Sequence, residues 1–188
     1  MKRSYMLKGK SSAELLTYTR TTSNDECYTP AHAVEALIPY IHDYMKRNKK
    51  DSLIVWCPFD THESEFVKIL SCMQGVHVTY SHISNNQDFF TYEPTTWDII
   101  ISNPPFANKR AFFEQAISFK KPFALLMSVT WLNDSAPYHI FKDINFELLF
   151  FSKRIHFLND GKTIKKTTFA SAFFCSSFLS SQITFSSI

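Results

Sequence analysis

Trp97-Asp98-Ile99-Ile100-Ile101-Ser102-Asn103-Pro104-Pro105-Phe106 is the stretch from which the chain is read. Its first half is a short run of β-branched apolar residues, the pattern of a strand buried on both faces. Its second half cannot continue that strand. Two prolines fix φ and remove two backbone donors, so the loop is stiff and its carbonyls point outward unpaired. The Asn103 side-chain oxygen and the Pro104 carbonyl are then suited to accept both protons of one NH₂ group. Accepting both keeps the nitrogen lone pair from being withdrawn into a conjugated ring and aims it outward. Phe106 supplies a flat face on which a planar base can stack. A Pro-Pro pair alone would indicate a rigid turn; the whole tetrapeptide directly after a strand indicates a pocket for an exocyclic amine.

Outward from this stretch, strands and helices alternate. Thr29 as N-cap and Pro30 at the first helical position open a helix over 30–47, carried by Val34, Leu37, Ile38, Ile41 and Met45. Leu53-Ile54-Val55-Trp56 reads as a buried strand, Ser64 to Met73 as a helix stopped by Gly75, and Val76 to Tyr80 as a second strand. After the central stretch come a helix over Lys109 to Phe119 and a strand at Phe123 to Met127. Glu147 to Phe151 and Phe169 to Leu179 read as a terminal strand pair around a basic loop containing Gly161. The order predicts an α/β fold: a mostly parallel, seven-stranded sheet with an antiparallel terminal hairpin and helices on both faces. In such sheets ligands bind at the carboxyl ends of the strands, so the loops at Cys57-Pro58-Phe59-Asp60 and Asn103-Pro104-Pro105-Phe106 are expected on one edge.

Composition bounds the rest. A length of 188 residues with 45% hydrophobic side chains fits one domain, taken as 25–188 behind a polar, basic arm at 1–24. The 19 Phe suit a packed core. A net charge of +3 is compatible with nucleic acid without requiring it. The four cysteines (Cys27, Cys57, Cys72, Cys175) include no C-x-x-C pair, and the histidines show no convergent metal spacing, so no metal is expected. No signal peptide or membrane-spanning run is legible, and a cytoplasmic location is expected. The absence of G-x-x-x-x-G-K-[ST] argues against a nucleotide hydrolase.

These motifs together resemble the N6-adenine methyltransferases, in particular the small ones of phages and mobile elements. Asn103-Pro104-Pro105-Phe106 is similar to the family's catalytic [DNS]-P-P-[YFW] tetrapeptide. Asp25-Glu26-Cys27-Tyr28-Thr29-Pro30 resembles the segment ahead of the first strand that helps close the cofactor pocket. Trp56-Cys57-Pro58-Phe59-Asp60 resembles the motif ending that strand, and Asp88-Phe89-Phe90 the Asp-Phe step near the cofactor adenine. Arg154-Ile155-His156-Phe157-Leu158 with Phe169-Ala170-Ser171 resembles the late hairpin beside the target pocket. The resemblance covers most of residues 24–179. It implies a Rossmann-like class I methyltransferase fold, S-adenosylmethionine as cofactor, and transfer to the N6 amino group of adenine in DNA. Tyr28, Thr29, Pro30, Pro58, Phe59, Asp60, Asp88 and Phe89 would line the cofactor.

The chain departs from that pattern in two places. Phe59-Asp60-Thr61-His62-Glu63-Ser64 lacks the glycines that let the backbone approach the cofactor's methionine moiety. Ser81-His82-Ile83 stands where an acidic residue would hold the ribose, with His82 as a substitute donor. Either the cofactor is bound differently or tight binding is lost. RNA adenine or a protein glutamine are the alternative acceptors; a catalytically degenerate binding protein is the alternative outside enzymes. Lys109, Arg110, Lys153, Arg154, Lys162 and Lys165, together with Lys120, Lys121 and Lys166, form the candidate phosphate-contacting set; the resemblance implies DNA rather than RNA as the partner. Trp131-Leu132-Asn133-Asp134-Ser135 is a candidate lid or part of the target pocket.

Overall fold

The computed structural model describes residues 28–159, 162–163 and 169–188. The arm at 1–24, Asp25-Glu26-Cys27, Gly161, Lys165 and Lys166 lie outside those residues. Where one helix is expected over 30–47, two are found: α1 (Ala31–Glu35) and α2 (Ile38–Arg47). Pro39 is the cause. It has no N–H to return to the Glu35 carbonyl, and its ring would collide with that carbonyl in a continuous helix. The chain therefore turns through Ala36 and Leu37 and restarts. The cap also shifts by one residue: extended Pro30, at φ −72° and ψ 152°, is the N-cap, and no side chain caps the helix.

The remaining elements are β1 (Leu53–Cys57), α3 (Glu65–Ser71), β2 (Val76–Tyr80), β3 (Ile99–Ser102), α4 (Lys109–Ser118) and β4 (Phe123–Ser128). They are followed by α5 (Ser135–Phe141), β5 (Phe146–Phe151), the two-residue strands β6 (Leu158–Asn159) and β7 (Lys162–Thr163), β8 (Ser171–Ser176) and β9 (Ile183–Ser186). Seven strands form one sheet in the order β2-β1-β3-β4-β8-β5-β9. β1 pairs in parallel with β2 and β3, and β3 with β4; β8 runs antiparallel to both β4 and β5; β9 is parallel to β5. The fold is α/β, with a mostly parallel sheet and an antiparallel part.

Alternation along each strand divides the core into two layers. Val55, Ile99, Ile101, Leu126 and Phe173 face α1, α2 and α3, while Trp56, Ile100, Leu125, Met127 and Phe174 face α4 and α5. Each fully buried side chain of this size contributes about 1.5–3 kcal/mol. A one-residue slip would exchange the two layers wholesale, so the register is fixed from both faces. The start of β3 is pinned by Asp98, whose Oδ2 accepts the Ile54 amide at 2.8 Å and whose Oδ1 accepts Lys50 Nζ at 2.7 Å. Burial alone would raise this carboxyl's pKa; the Lys50 and Ile54 hydrogen bonds outweigh it and hold it below the usual value. Gly75 ends the α3–β2 connection at φ +77°, where a Cβ would lie 2.8 Å from the Asp51 carbonyl oxygen.

Three features differ from the sequence-based expectation. The late strand pair is not an edge hairpin: β8 inserts between β4 and β5, and β9 covers the far side of β5. Ser177, at φ 54°, stops β8 and lets the chain return for that extra strand. Trp131 is not on a lid but 2% exposed, its ring packed on Phe113, Phe141 and Phe174. The additional helix α5 carries Pro137 in its first turn, where a missing N–H costs no helical bond. No helix among the described residues is long and apolar enough to cross a membrane.

Candidate active site at the carboxyl edge of the sheet

Parallel pairing puts the carboxyl ends of β1, β2, β3 and β4, at Cys57, Tyr80, Ser102 and Ser128, on one edge. β5 runs antiparallel to β8, as β4 does, so β5 also ends there, and β8 starts there with Ser171 opposite Ser128. The edge therefore collects the loops after Cys57, Ser102 and Phe151, together with the segment leading into Ser171. Residues widely separated in sequence meet on it.

The first two of these loops are joined through one carboxylate. Asp60 is 7% exposed, and its two oxygens accept Ser64 Oγ and Ser102 Oγ in short hydrogen bonds. Ser64 is the N-cap of α3, its Oγ also accepting the Phe66 amide at 3.3 Å. Ser102 ends β3 and directly precedes Asn103. Burial raises the Asp60 pKa to about 6, against the two serine hydrogen bonds, which lower it. Burial, and then the charge of Asp60, push the neighbouring Cys57 thiol well above its ordinary value. Ser81 completes the brace: its carbonyl accepts the Asp60 amide at 3.2 Å, its amide donates to the Cys57 carbonyl at 3.1 Å, and its Oγ accepts Trp56 Nε1 at 3.0 Å.

In the Asn103–Phe106 loop, Asn103 is half-buried, Pro104 buried, Pro105 exposed and Phe106 half-buried. The Phe106 ring meets Phe157 and Phe169 edge-on, at 5.9 and 5.3 Å between centroids. The early motif reaches the same place: Tyr28 and Leu158 exchange two backbone hydrogen bonds of 2.9 Å. Tyr28 is 52% exposed, whereas Thr29 and Pro30 are buried. The hydroxyls of Thr29 and Ser171 are buried with no hydrogen-bond partner among the described residues. Such groups are costly to leave unpaired and are found where a ligand or water completes them.

The other candidate cofactor residues sit on the opposite layer. Pro58 is buried, and the half-buried Phe59 packs on Phe89 at 4.8 Å and Phe112 at 5.0 Å. Phe89 is 2% exposed and also touches Trp56 and Phe119, so its ring serves the core. Asp88 Oδ1 accepts the Phe90 amide at 3.0 Å and closes the turn at 88–92. His82 Nδ1 accepts the Ser84 amide at 3.2 Å, capping a short 3₁₀ turn.

Of the basic set, Lys153 and Arg154 are exposed on the loop that buries Ile155 and Phe157 beneath them, next to Phe106. Lys109 Nζ lies 5.8 Å from the Trp131 ring centre, and Arg110 makes an exposed pair with Glu114 at 2.8 Å. An exposed pair of this kind contributes only about 0.3–0.5 kcal/mol, so Arg110 can leave it for another anion. Lys120 and Lys121 precede β4 and so lie at the other end of the sheet. The backbone of Lys162 is in β7, and Lys165 is outside the described residues. Two surface cavities lie apart from these loops: one of about 330 Å³ beside β2 and residues 92–96, and one of about 540 Å³ among α1, α2 and residues 185–188, at the β9 flank of the sheet. Among the described residues no His, Cys, Asp and Glu side chains gather as a metal site.

Compared with models of known protein families and with curated protein sequences, the chain gives no match. Its site is therefore read from its own residues. Sequence reasoning missed Ser64, Ser81 and Ser102 as its framework, because a serine at a strand or helix end carries no distinguishing signal until its partner is known.

Proposed function

We propose that this chain is an S-adenosylmethionine-dependent methyltransferase acting on the N6 amino group of adenine in DNA, with a Rossmann-like class I fold. The observation that carries the reading is the convergence of Asn103–Phe106, the β1 loop and the Tyr28–Leu158 bridge on one strand-end edge. The strand order, in which an antiparallel β8 follows the parallel β2-β1-β3-β4 block, agrees with that fold.

The residues present suit the cofactor at one side and restrict it at the other. The orphan hydroxyls of Thr29 and Ser171 and the half-exposed Tyr28 offer hydrogen-bonding and stacking groups at the edge. Tyr28, Thr29, Pro30, Pro58, Phe59 and Asp88 would hold the cofactor, which when bound supplies an electrophilic sulfonium methyl. Asn103 Oδ1 and the Pro104 carbonyl accept the amine protons of the target base. The amine lone pair would thereby be kept available toward the methyl group that the cofactor would supply, and the amine would give up one proton to solvent. Phe106 stacks on the base, which has to be flipped from a duplex to reach it. No nucleophile or metal is required of the chain, because positioning supplies much of the rate.

A specific observation favours a second reading, a binding protein of methyltransferase descent. Thr61 and Glu63 replace the expected glycines, and both Asp60 oxygens already accept protein hydroxyls. Calorimetry with S-adenosylmethionine separates the two. Binding with a Kd of about micromolar order supports the enzyme; no heat at millimolar cofactor supports the binding protein. A labelled-methyl assay across DNA, RNA and protein then identifies the acceptor.

A further inference from the structure

Asp60 is, we infer, the positioning residue of the Asn103–Phe106 loop, and its consequence for methyl transfer rests on the reading just given. A buried carboxylate is costly, and with no cation beside it Asp60 depends on hydrogen bonds to satisfy its oxygens. Among the described residues no Lys, Arg or His lies within salt-bridge distance of Asp60. Its two oxygens instead go to two hydroxyls on different elements. Ser64 holds the start of α3, and Ser102 is the last residue of β3.

The consequence follows from adjacency. Ser102 is fully buried and its side chain is held by Asp60, so the backbone leaves β3 toward Asn103 in one direction. The two prolines carry that direction rigidly through to Phe106. The Asp60 amide is itself anchored to the Ser81 carbonyl, so the carboxylate is a fixed reference in the β1 loop. Asp60 touches neither amine nor base in this arrangement. It sets the distance between the loop that would hold the methyl donor and the loop that would hold the acceptor. An error of about 1 Å in such a distance costs on the order of a hundredfold in rate.

The test uses the full chain as wild type, Asp60→Asn, Ser102→Ala and the double variant, read first by amide hydrogen exchange. Each single variant is expected to speed exchange at Asn103 and Phe106 by about tenfold or more, while β5 and β8 stay at wild-type rates. The double variant is expected to go no further than Ser102→Ala, because without the Ser102 hydroxyl the side chain at position 60 has no hold on β3. Ser102→Ala removes no charge, so it decides the matter even if Asp60→Asn does not fold. In the transfer assay, kcat falls about tenfold or more while the Kd for S-adenosylmethionine stays within about twofold. Wild-type exchange rates at Asn103 and Phe106 in Ser102→Ala would overturn the assignment. So would a loss of cofactor affinity equal to the loss of transfer, which would make Asp60 a cofactor ligand. If the wild type transfers no methyl group, the methylation reading fails, and the exchange rates still decide whether Asp60 positions the loop.

Discussion

The Lys121 ammonium lies 3.9 Å from the centre of the Trp97 ring and donates to the Trp97 carbonyl at 2.8 Å. Trp97 in turn packs on Trp56 and Phe119, at 5.2 and 5.4 Å between centroids. Lys121 thus clamps the entry to β3 at the end of the sheet remote from the candidate site. Replacing it by Ala is expected to cost about 1–2 kcal/mol in urea unfolding and to leave DNA affinity unchanged.

Lys153 and Arg154 should behave in the opposite way. Each Ala variant is expected to unfold like wild type, to bind DNA more weakly, and to reduce the salt slope of binding by about one. Fluorescence anisotropy over a salt series reads all three variants. Weakening by Lys121→Ala equal to that by Arg154→Ala would contradict the division between structural and phosphate-contacting lysines.

Glu147 is the second buried carboxylate, at 2% exposure, and its work is structural. Its Oε2 accepts the Phe178 and Leu179 amides at 3.0 and 2.7 Å, and its Oε1 accepts Asn145 Nδ2 at 2.6 Å. Glu147→Ala leaves two buried amides unpaired where the chain turns from β8 toward β9. A loss of about 3 kcal/mol is expected by urea unfolding. A loss under about 0.5 kcal/mol, the size of an ordinary surface substitution, would show that the turn holds without it.

The Asp60 pKa, raised from 3.8 to about 6, makes a signed prediction about stability. Between those values the folded state keeps a proton that the unfolded state has released. This group's contribution is therefore fully present below about pH 4 and is lost as pH rises through 6, an effect on the order of 3 kcal/mol. Subtracting the pH–stability curve of Asp60→Asn from that of wild type should isolate this fall. Parallel curves would mean that Asp60 is not buried as described.

Much of the fold was legible because the strands are buried on both faces. Leu53–Trp56, the isoleucines of Asp98–Ser102 and Phe123–Met127 read as apolar runs, and all of these apolar residues but Ile54 are buried. What escaped reading had competing local signals. Pro39 hid a helix break inside a convincing amphipathic repeat, and Pro137 concealed a helix it only begins. The edge strand at Ile183–Ser186 lies among serines, and its large apolar side chains, Ile183 and Phe185, are 56% and 75% exposed.

The candidate site was legible in its parts and not in its joinery. Asn103–Phe106 stood out because prolines after a strand restrict a loop in a recognisable way. That Tyr28 would meet Leu158, and Phe106 would meet Phe157 and Phe169, depends on sheet order, which no local pattern encodes. Asp60 was read as a group facing a cofactor; its link to Ser102, 42 residues away, became visible only with the strands aligned.

Mass spectrometry of nucleosides from DNA incubated with the full chain and S-adenosylmethionine tests the methylation reading most directly. The wild type is expected to yield N6-methyladenine, and Asn103→Ala to yield none while its cofactor binding largely survives. Absence of N6-methyladenine from the wild type, or equal amounts from wild type and Asn103→Ala, would contradict it.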